Sequence, residues 1–228
     1  MRQLAFYFLI FISITSHGQN KSTSSENASK GFQLGLNASP DYCFRTMPSY
    51  FEVPKLGYTF GVSTAYQFNQ LFSVETGLHY SNKGCQTSKM DLVFFVPDPA
   101  NPNQAQYIYN YHFIDIPLKA NFTVGSRKIK FFTSVGLTTN LFIKETQTNI
   151  YVYSDRTDIN TISPSLMDIR KVNFTPTLST GIDWSLHPNV NLRVEPNFQY
   201  SALSFTNTPL TGNLFSAGLK MSVYYRLH

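Results

Sequence analysis

The segment "YHFIDIPLKANF", residues 111–122, places an apolar side chain at nearly every second position. A period of two predicts a β-strand with one apolar and one polar face. Ile116 and Leu118 lie on the apolar face, whereas Asp115 and Lys119 lie on the other. The fold therefore depends on which of these two faces meets water.

The same period recurs from residue 32 to the end of the chain. It predicts eight strands, at about 32–39, 57–68, 71–82, 111–122, 129–141, 172–186, 190–201 and 213–227. The connections alternate in length, because short turns at 69–70, 123–128 and 187–189 separate long segments at 40–56, 83–110, 142–171 and 202–212. An even strand number with every other loop long is typical of an all-β, antiparallel, up-and-down barrel.

Composition decides between a soluble barrel and a transmembrane barrel. Charged residues make up 14% of the chain, well below the roughly 25% of an average soluble protein. The apolar face is rich in Phe, Tyr, Leu and Ile, and an eight-stranded interior is too narrow to hold them all. The other face carries many Gly, Ser and Thr residues, which fit a narrow lumen. We therefore predict an eight-stranded transmembrane β-barrel whose apolar face meets lipid.

Charged residues of both signs fall on the predicted inward face. In a narrow lumen they must be paired or hydrated, so alternating signs predict a network of ion pairs that plugs the barrel and fixes strand register. The alternative is a narrow channel for small solutes or ions. The residues of this predicted lumen network are Glu75, Asp115, Lys119, Lys130, Asp183, Arg193, Glu195, Lys220 and Arg226.

The N-terminus predicts secretion. Arg2 precedes a short apolar run over residues 4–15, which is typical of a signal peptide covering residues 1–18. Residues 19–31 are small and polar and predict a flexible N-terminus, and the barrel domain then covers 32–228. Secretion and a barrel together predict the outer membrane, with the long loops extracellular and lipid as the surrounding partner.

Cys43 and Cys85 fall in the first two long loops, at the same predicted end of the barrel. In an oxidising compartment a disulfide between them would tie these loops together. The alternative is two independent thiols. No Cys or His spacing matches a metal site, and nothing indicates a cofactor.

The sequence assembles no catalytic residues. A rim-located lipid-modifying enzyme stays the least favoured alternative, because it would need a clustered base and nucleophile. The net charge is +5, but the basic residues are scattered, so nucleic acid is not a predicted partner. We expect a monomer.

The loop at 83–110 contains an apolar centre at Val93, Phe94 and Phe95. This segment either binds a protein partner outside the cell or simply continues the two flanking strands outward. Three prolines inside predicted strands, Pro117, Pro176 and Pro196, each remove a ladder donor, and we expect β-bulges there. Aromatic residues near strand ends, including Tyr58, Tyr80 and Trp184, suit the membrane interfaces.

The chain from about residue 31 to 228 resembles the porin-family, PorT-like outer-membrane β-barrel domain. The resemblance rests on "FIDIPLKANF" (113–122), "GVSTAYQFNQLFSVETGLHYSNKG" (61–84), "FFTSVGLTTNL" (131–141) and the closing "NLFSAGLKMSVYYRLH" (213–228). It implies an integral barrel in the outer membrane of Gram-negative bacteria, and it implies no catalytic residues. The chain ends on His228 rather than an aromatic residue, which leaves the usual terminal assembly signal to Tyr225 or its neighbours.

Overall fold

A computed structural model describes residues 31–46, 52–96, 98, 100–125, 128–163, 168–207 and 212–227. The predicted signal peptide and residues 19–30 of the predicted flexible N-terminus lie outside the described residues. Strands form at β1 (Gly31–Thr46), β2 (Glu52–Val53), β3 (Lys55–Gln67), β4 (Phe72–Thr87), β5 (Met90–Asp91), β6 (Gln104–Val124), β7 (Ile129–Val152), β8 (Thr157–Ile162), β9 (Val172–His187), β10 (Val190–Tyr200) and β11 (Asn213–Arg226). Within these ranges, no helix is long and apolar enough to cross a membrane.

Eight of the strands close into a ring. Antiparallel pairing runs from β1 through β3, β4, β6, β7, β9 and β10 to β11, and β11 pairs back with β1. Each ring strand contains or overlaps one predicted strand, so the prediction of an eight-stranded up-and-down barrel is confirmed. Closure gives every ring strand a partner on both sides, which leaves no open sheet edge in the bilayer.

The alternation of side chains decides the inside and the outside of this ring. Phe60, Ile116 and Leu219 expose 51%, 39% and 40% of their surface, whereas Glu75 and Lys220 expose 0% and 7%. Bulky apolar residues therefore cover the exterior of the barrel, and charged and small polar residues fill its lumen. This distribution is the reverse of a soluble carrier, and it confirms the predicted orientation of the two faces.

Two strands are much longer than their sequence pattern predicts. β6 begins at Gln104 rather than 111, and β7 continues to Val152 rather than 141. The short strands β5 and β8 pair with these outer parts. We call β5, β8 and residues 104–110 and 142–152 the extracellular extension, after the predicted orientation of the long connections. Period-two alternation weakens here because both faces of the extension leave the bilayer.

The prediction of bulges at the three prolines is wrong. Pro117 stays opposite Thr138 and Pro196 stays opposite Leu219 in unbroken registers, and Pro176 stays opposite Leu137. A residue's N–H points to one neighbouring strand, so a proline interrupts one ladder without needing an extra residue. Register shifts occur instead beside His112 and Val190.

Candidate functional site

The centre of the lumen holds a cluster of buried ions. Lys119 Nζ lies 3.1 Å from Glu75 and 3.0 Å from Glu195, and Lys220 pairs with the same two carboxylates. Arg193 bridges Glu75 and Asp183, at 3.0 Å each. These side chains come from β4, β6, β9, β10 and β11, so the cluster connects distant parts of the ring. We call it the ionic cluster: Glu75, Lys119, Asp183, Arg193, Glu195 and Lys220.

The ionic cluster is electrically balanced, with three carboxylates against three cations. Balance matters because an unpaired ion in a dry interior costs several kcal/mol. Glu195 gains a further hydrogen bond from the Ser179 hydroxyl at 3.2 Å. Every member of the cluster is buried, so these ion pairs form one layer across the lumen.

Arg193 is held from two further directions by aromatic rings. Its guanidinium carbon lies 4.5 Å from the Phe132 ring centroid and 4.8 Å from that of Tyr224. Tyr224 in turn lies over Gly35, where an added Cβ would come within 2.6 Å of the ring. Gly35 is therefore needed because a larger residue would displace the Tyr224 ring, and that ring in turn helps to hold Arg193 in place.

The other predicted lumen charges lie above and below this layer. Asp115 pairs with Lys83 at 2.9 Å and accepts a hydrogen bond from Asn140 at 2.6 Å, nearer the extracellular end. Lys83 was not predicted as a lumen residue, because it follows the predicted end of its strand. Lys130 and Arg226 are half-buried near the periplasmic strand ends, outside the ionic cluster.

The remaining space inside the barrel is small. A cavity of about 20 Å³ lies between Asp41, His79, Asp115 and the ionic cluster, which is room for about one water molecule. A second cavity, of about 10 Å³, lies above it beside Lys83 and Phe113. Neither cavity provides a path past the ionic cluster.

An apolar cap closes the extracellular mouth. The segments around Ile169 and Phe205 fold inward, joined by a bridge between Ile169 and Thr206. Arg45 lies against the cap, over the Phe205 ring. Both segments lie in predicted loops, and nothing in the sequence pattern indicated the cap. The buried residues that form it are Tyr111, Phe113, Ile169, Phe205 and Leu214.

The predicted disulfide is not present, since Cys43 and Cys85 are both buried free thiols. Cys43 lies opposite Lys55 of β3. Continuing the register of Tyr58 with Asn82 places Lys55 level with Cys85 on the far side of β3. Two strand spacings of about 4.8 Å separate the cysteines, whereas a disulfide needs Cα atoms within about 7 Å. The intervening strand therefore keeps the two thiols apart.

One histidine inside the lumen contacts a serine. His79 Nε2 lies 2.9 Å from Ser63 Oγ and 3.2 Å from Asn37 Nδ2. The third group is an amide rather than a carboxylate, and His79 is 6% exposed within the lumen rather than at the rim. Across the described ranges, no group of three His, Cys, Asp or Glu residues is arranged to hold a metal ion.

The candidate binding residues lie at the tip of the extracellular extension. Val93 is 95% exposed and Phe95 is fully exposed, whereas Phe94 is 41% exposed. They follow β5 in the segment that leads to β6, where Leu92 bonds to Asn103 across the base of the loop. The tip therefore presents an apolar surface to the surroundings.

Comparisons with known proteins agree with this architecture. A family model described as "Outer membrane protein beta-barrel domain" matches residues 16–208. Neisserial surface protein A shares 14% identity, with 89% of this chain and 100% of that chain covered, at a TM-score of 0.51. OprG from Pseudomonas aeruginosa shares 11%, with 88% and 97% covered, at a TM-score of 0.45. No curated protein matches the chain.

Proposed function

The chain belongs to the outer membrane protein beta-barrel domain family, and from that premise we propose that it is a sealed, non-enzymatic barrel that binds a protein partner through its extracellular extension. It lies in the outer membrane. Within the family, the sequence resemblance favours the PorT-like group. The single observation that carries the proposal is that ion pairs and an apolar cap occupy the lumen while β6 and β7 are much longer than a bilayer requires.

Two barriers support a sealed lumen. The ionic cluster fills the cross-section with paired charges, and the apolar cap covers the mouth above it. Cavities of about 20 Å³ and 10 Å³ hold isolated water at most. A steady ion current would require both barriers to move. This arrangement disfavours the alternative role as a narrow channel.

The extracellular extension supports partner binding. β6 has 21 residues and β7 has 24, whereas about 9–11 tilted residues span a bilayer. At about 3.3 Å per residue, the outer part of β6 (104–110) is therefore about 23 Å long and that of β7 (142–152) about 36 Å. A rigid sheet that ends in exposed Val93 and Phe95 is suited to protein contact, because exposed apolar patches mark interaction sites.

The contacts of His79 favour a non-enzymatic role. Acyl-transfer chemistry needs a nucleophile and base open to substrate, with the base oriented by a third group. Ser63 and His79 lie instead inside the sealed lumen, 1% and 6% exposed. Their side chains therefore face the lumen rather than the bilayer in which a lipid substrate would lie.

Crosslinking tests the partner proposal. A photoreactive amino acid at position 94 in the full-length protein, expressed in the native outer membrane, should yield one discrete crosslinked protein. The double variant Val93→Ser/Phe95→Ser should abolish that product. The control Ile159→Ser removes another exposed apolar side chain, on β8, and should retain the crosslinked product. An unchanged crosslink in the double variant refutes binding through this tip.

Planar-bilayer recording separates the sealed barrel from the channel. The purified folded protein should show no steady current across the voltage range that the bilayer tolerates. A stable, ion-selective current at the single-molecule level would instead establish the channel role and overturn the sealed lumen.

A further inference from the structure

The outer wall of the barrel carries a groove that the sealed lumen does not explain. It is a shallow, open depression with a volume of about 430 Å³, and it crosses β1, β3, β4 and β6. Its position on the lipid-facing side excludes an aqueous solute as occupant. We call it the wall groove, and its apolar lining consists of Leu36, Phe60, Val62, Leu78, Tyr80 and Ile114.

The groove arises from unequal side chains on neighbouring outward positions. Val62 is small and lies between Leu36 and Leu78 in register. Phe60 and Tyr80 lie beside Val62, and the centroids of their two rings are 5.4 Å apart. Short side chains therefore form the floor, and aromatic rings close the end nearer the extracellular side.

That end of the groove is polar and basic. The Tyr80 hydroxyl lies 2.6 Å from His112 Nδ1, which fixes the ring as a wall of the groove. Tyr58 stands beside it, with ring centroids 6.3 Å apart. Lys144 lies opposite His112 on β7 and is exposed. The apolar trough therefore leads towards two phenol groups, and the Lys144 ammonium group lies one strand further round the ring, on β7.

We propose that the wall groove binds one phosphorylated, acylated lipid of the outer leaflet. One acyl chain lies over Val62 between Leu36 and Leu78, and the phosphate lies against Lys144 and the Tyr80 hydroxyl. The occupant is a lipid because the groove opens into the bilayer. It is an outer-leaflet lipid because the polar end is the extracellular one, and it is anionic because the exposed charge there is a cation.

The proposal requires both halves of the site to act together. The groove alone would order any acyl chain, and Lys144 alone would attract any anion within a Debye length. A lipid that satisfies both should survive gentle delipidation, whereas annular lipids should not.

Native mass spectrometry tests the site on the full-length protein in detergent micelles. Lipid A is the probe, and dephosphorylated lipid A and inorganic phosphate are the comparison ligands. We expect a one-to-one adduct with lipid A, at least tenfold weaker binding of the dephosphorylated form, and no adduct with phosphate. Equal binding of the dephosphorylated form refutes the phosphate contact, and equal binding of phosphate refutes a lipid ligand.

Variants locate the site. Val62→Trp fills the groove and should remove the adduct, and Lys144→Gln should weaken it by about fivefold, the effect of one basic residue near an anionic surface. The matched controls Leu178→Trp, at an outward position of β9, and Lys171→Gln, an exposed lysine near the extracellular end of β9, should bind as the wild type does. Adducts that persist equally in all four variants overturn the proposal.

Folding of each variant is verified by its heat-modifiable gel shift. Should Val62→Trp fail to fold, Leu36→Trp narrows the same groove from β1, where the side chain is 68% exposed. Retention of the lipid A adduct in a folded Leu36→Trp protein also counts against the groove.

Discussion

Replacing Glu195 by glutamine should destabilise the barrel far more than the loss of one negative charge at the surface would. Glu195 is fully buried and pairs with Lys119 at 3.0 Å and with Lys220. The isosteric amide keeps the shape but leaves the cluster with two carboxylates against three cations. Breaking a buried pair in this way costs about 3–5 kcal/mol.

A compensating substitution separates charge balance from shape. In the double variant Glu195→Gln/Lys220→Met, two carboxylates again face two cations, Lys119 and Arg193. Replacing a buried ion pair by neutral groups is often close to neutral, so we expect recovery of most of the loss. Asp158→Asn is the control, because its ion pair with Arg156 is solvent-exposed and exposed pairs contribute little to stability.

Urea or guanidinium titration in detergent measures these differences, with the folded fraction read from the heat-modifiable gel shift. A loss below about 1 kcal/mol in Glu195→Gln, within the range of an exposed pair, would show that the lumen is hydrated and that the pairs contribute little. A double variant less stable than either single variant would also contradict the argument, because it would mean that packing rather than charge balance sets the cost.

Three further outcomes are expected. Gly35→Val should lower the free energy of unfolding by about 1–3 kcal/mol, as overpacking does, because its Cβ would come within 2.6 Å of the Tyr224 ring. Adding Tyr224→Ala to the same chain should relieve the clash. If the denaturant titration instead shows that the losses of the two substitutions add, the clash is not the cause. Cys43 and Cys85 should resist a maleimide in the folded barrel and react after unfolding, since both are buried; labelling of the folded protein would contradict that burial. Burial raises the pKa of Glu145, against an opposing effect of Arg45. The folded state then holds this proton more tightly than the unfolded state, so stability falls as pH rises from about 4.5 towards the raised pKa. Glu145→Gln should accordingly be more stable than wild type at pH 8 and equal to it below pH 4 in the same titration, and a pH-independent difference would reject this cause.

The ring strands could be predicted because each must satisfy two solvents at once. Lipid outside and a narrow lumen inside impose a strict period of two. The sequence alone therefore shows that Ile116 lies on the lipid face and Asp115 on the lumen face. Where the strands leave the bilayer this constraint ends. The outer parts of β6 and β7 therefore had no signal strong enough to separate them from loops.

Contacts between residues distant in sequence were the main omission. Phe205 and Ile169 lie in polar segments without periodicity, and their burial depends on the two segments meeting inside the mouth. The disulfide prediction was wrong for a related reason. Sequence places Cys43 and Cys85 at the same end of the barrel but does not show that Lys55 lies between them. Proximity around a ring depends on strand order and register, which period-two patterns leave open.

The ionic cluster also bears on how a barrel with a uniform exterior finds one register. Almost any apolar residue suits the lipid face, so that face discriminates poorly between alternative pairings. A slip by one residue, however, would turn Glu75 or Lys119 outward, where a lysine at mid-bilayer costs about 2–4 kcal/mol and a glutamate less. A slip by two residues would keep each side chain on its original face but would separate Lys220 from the carboxylates of Glu75 and Glu195. Because Glu75 and Lys220 are 145 positions apart, their contact forms once β11 has closed on β1. We therefore expect the charges inside the barrel to specify both register and closure, which the exterior alone cannot do.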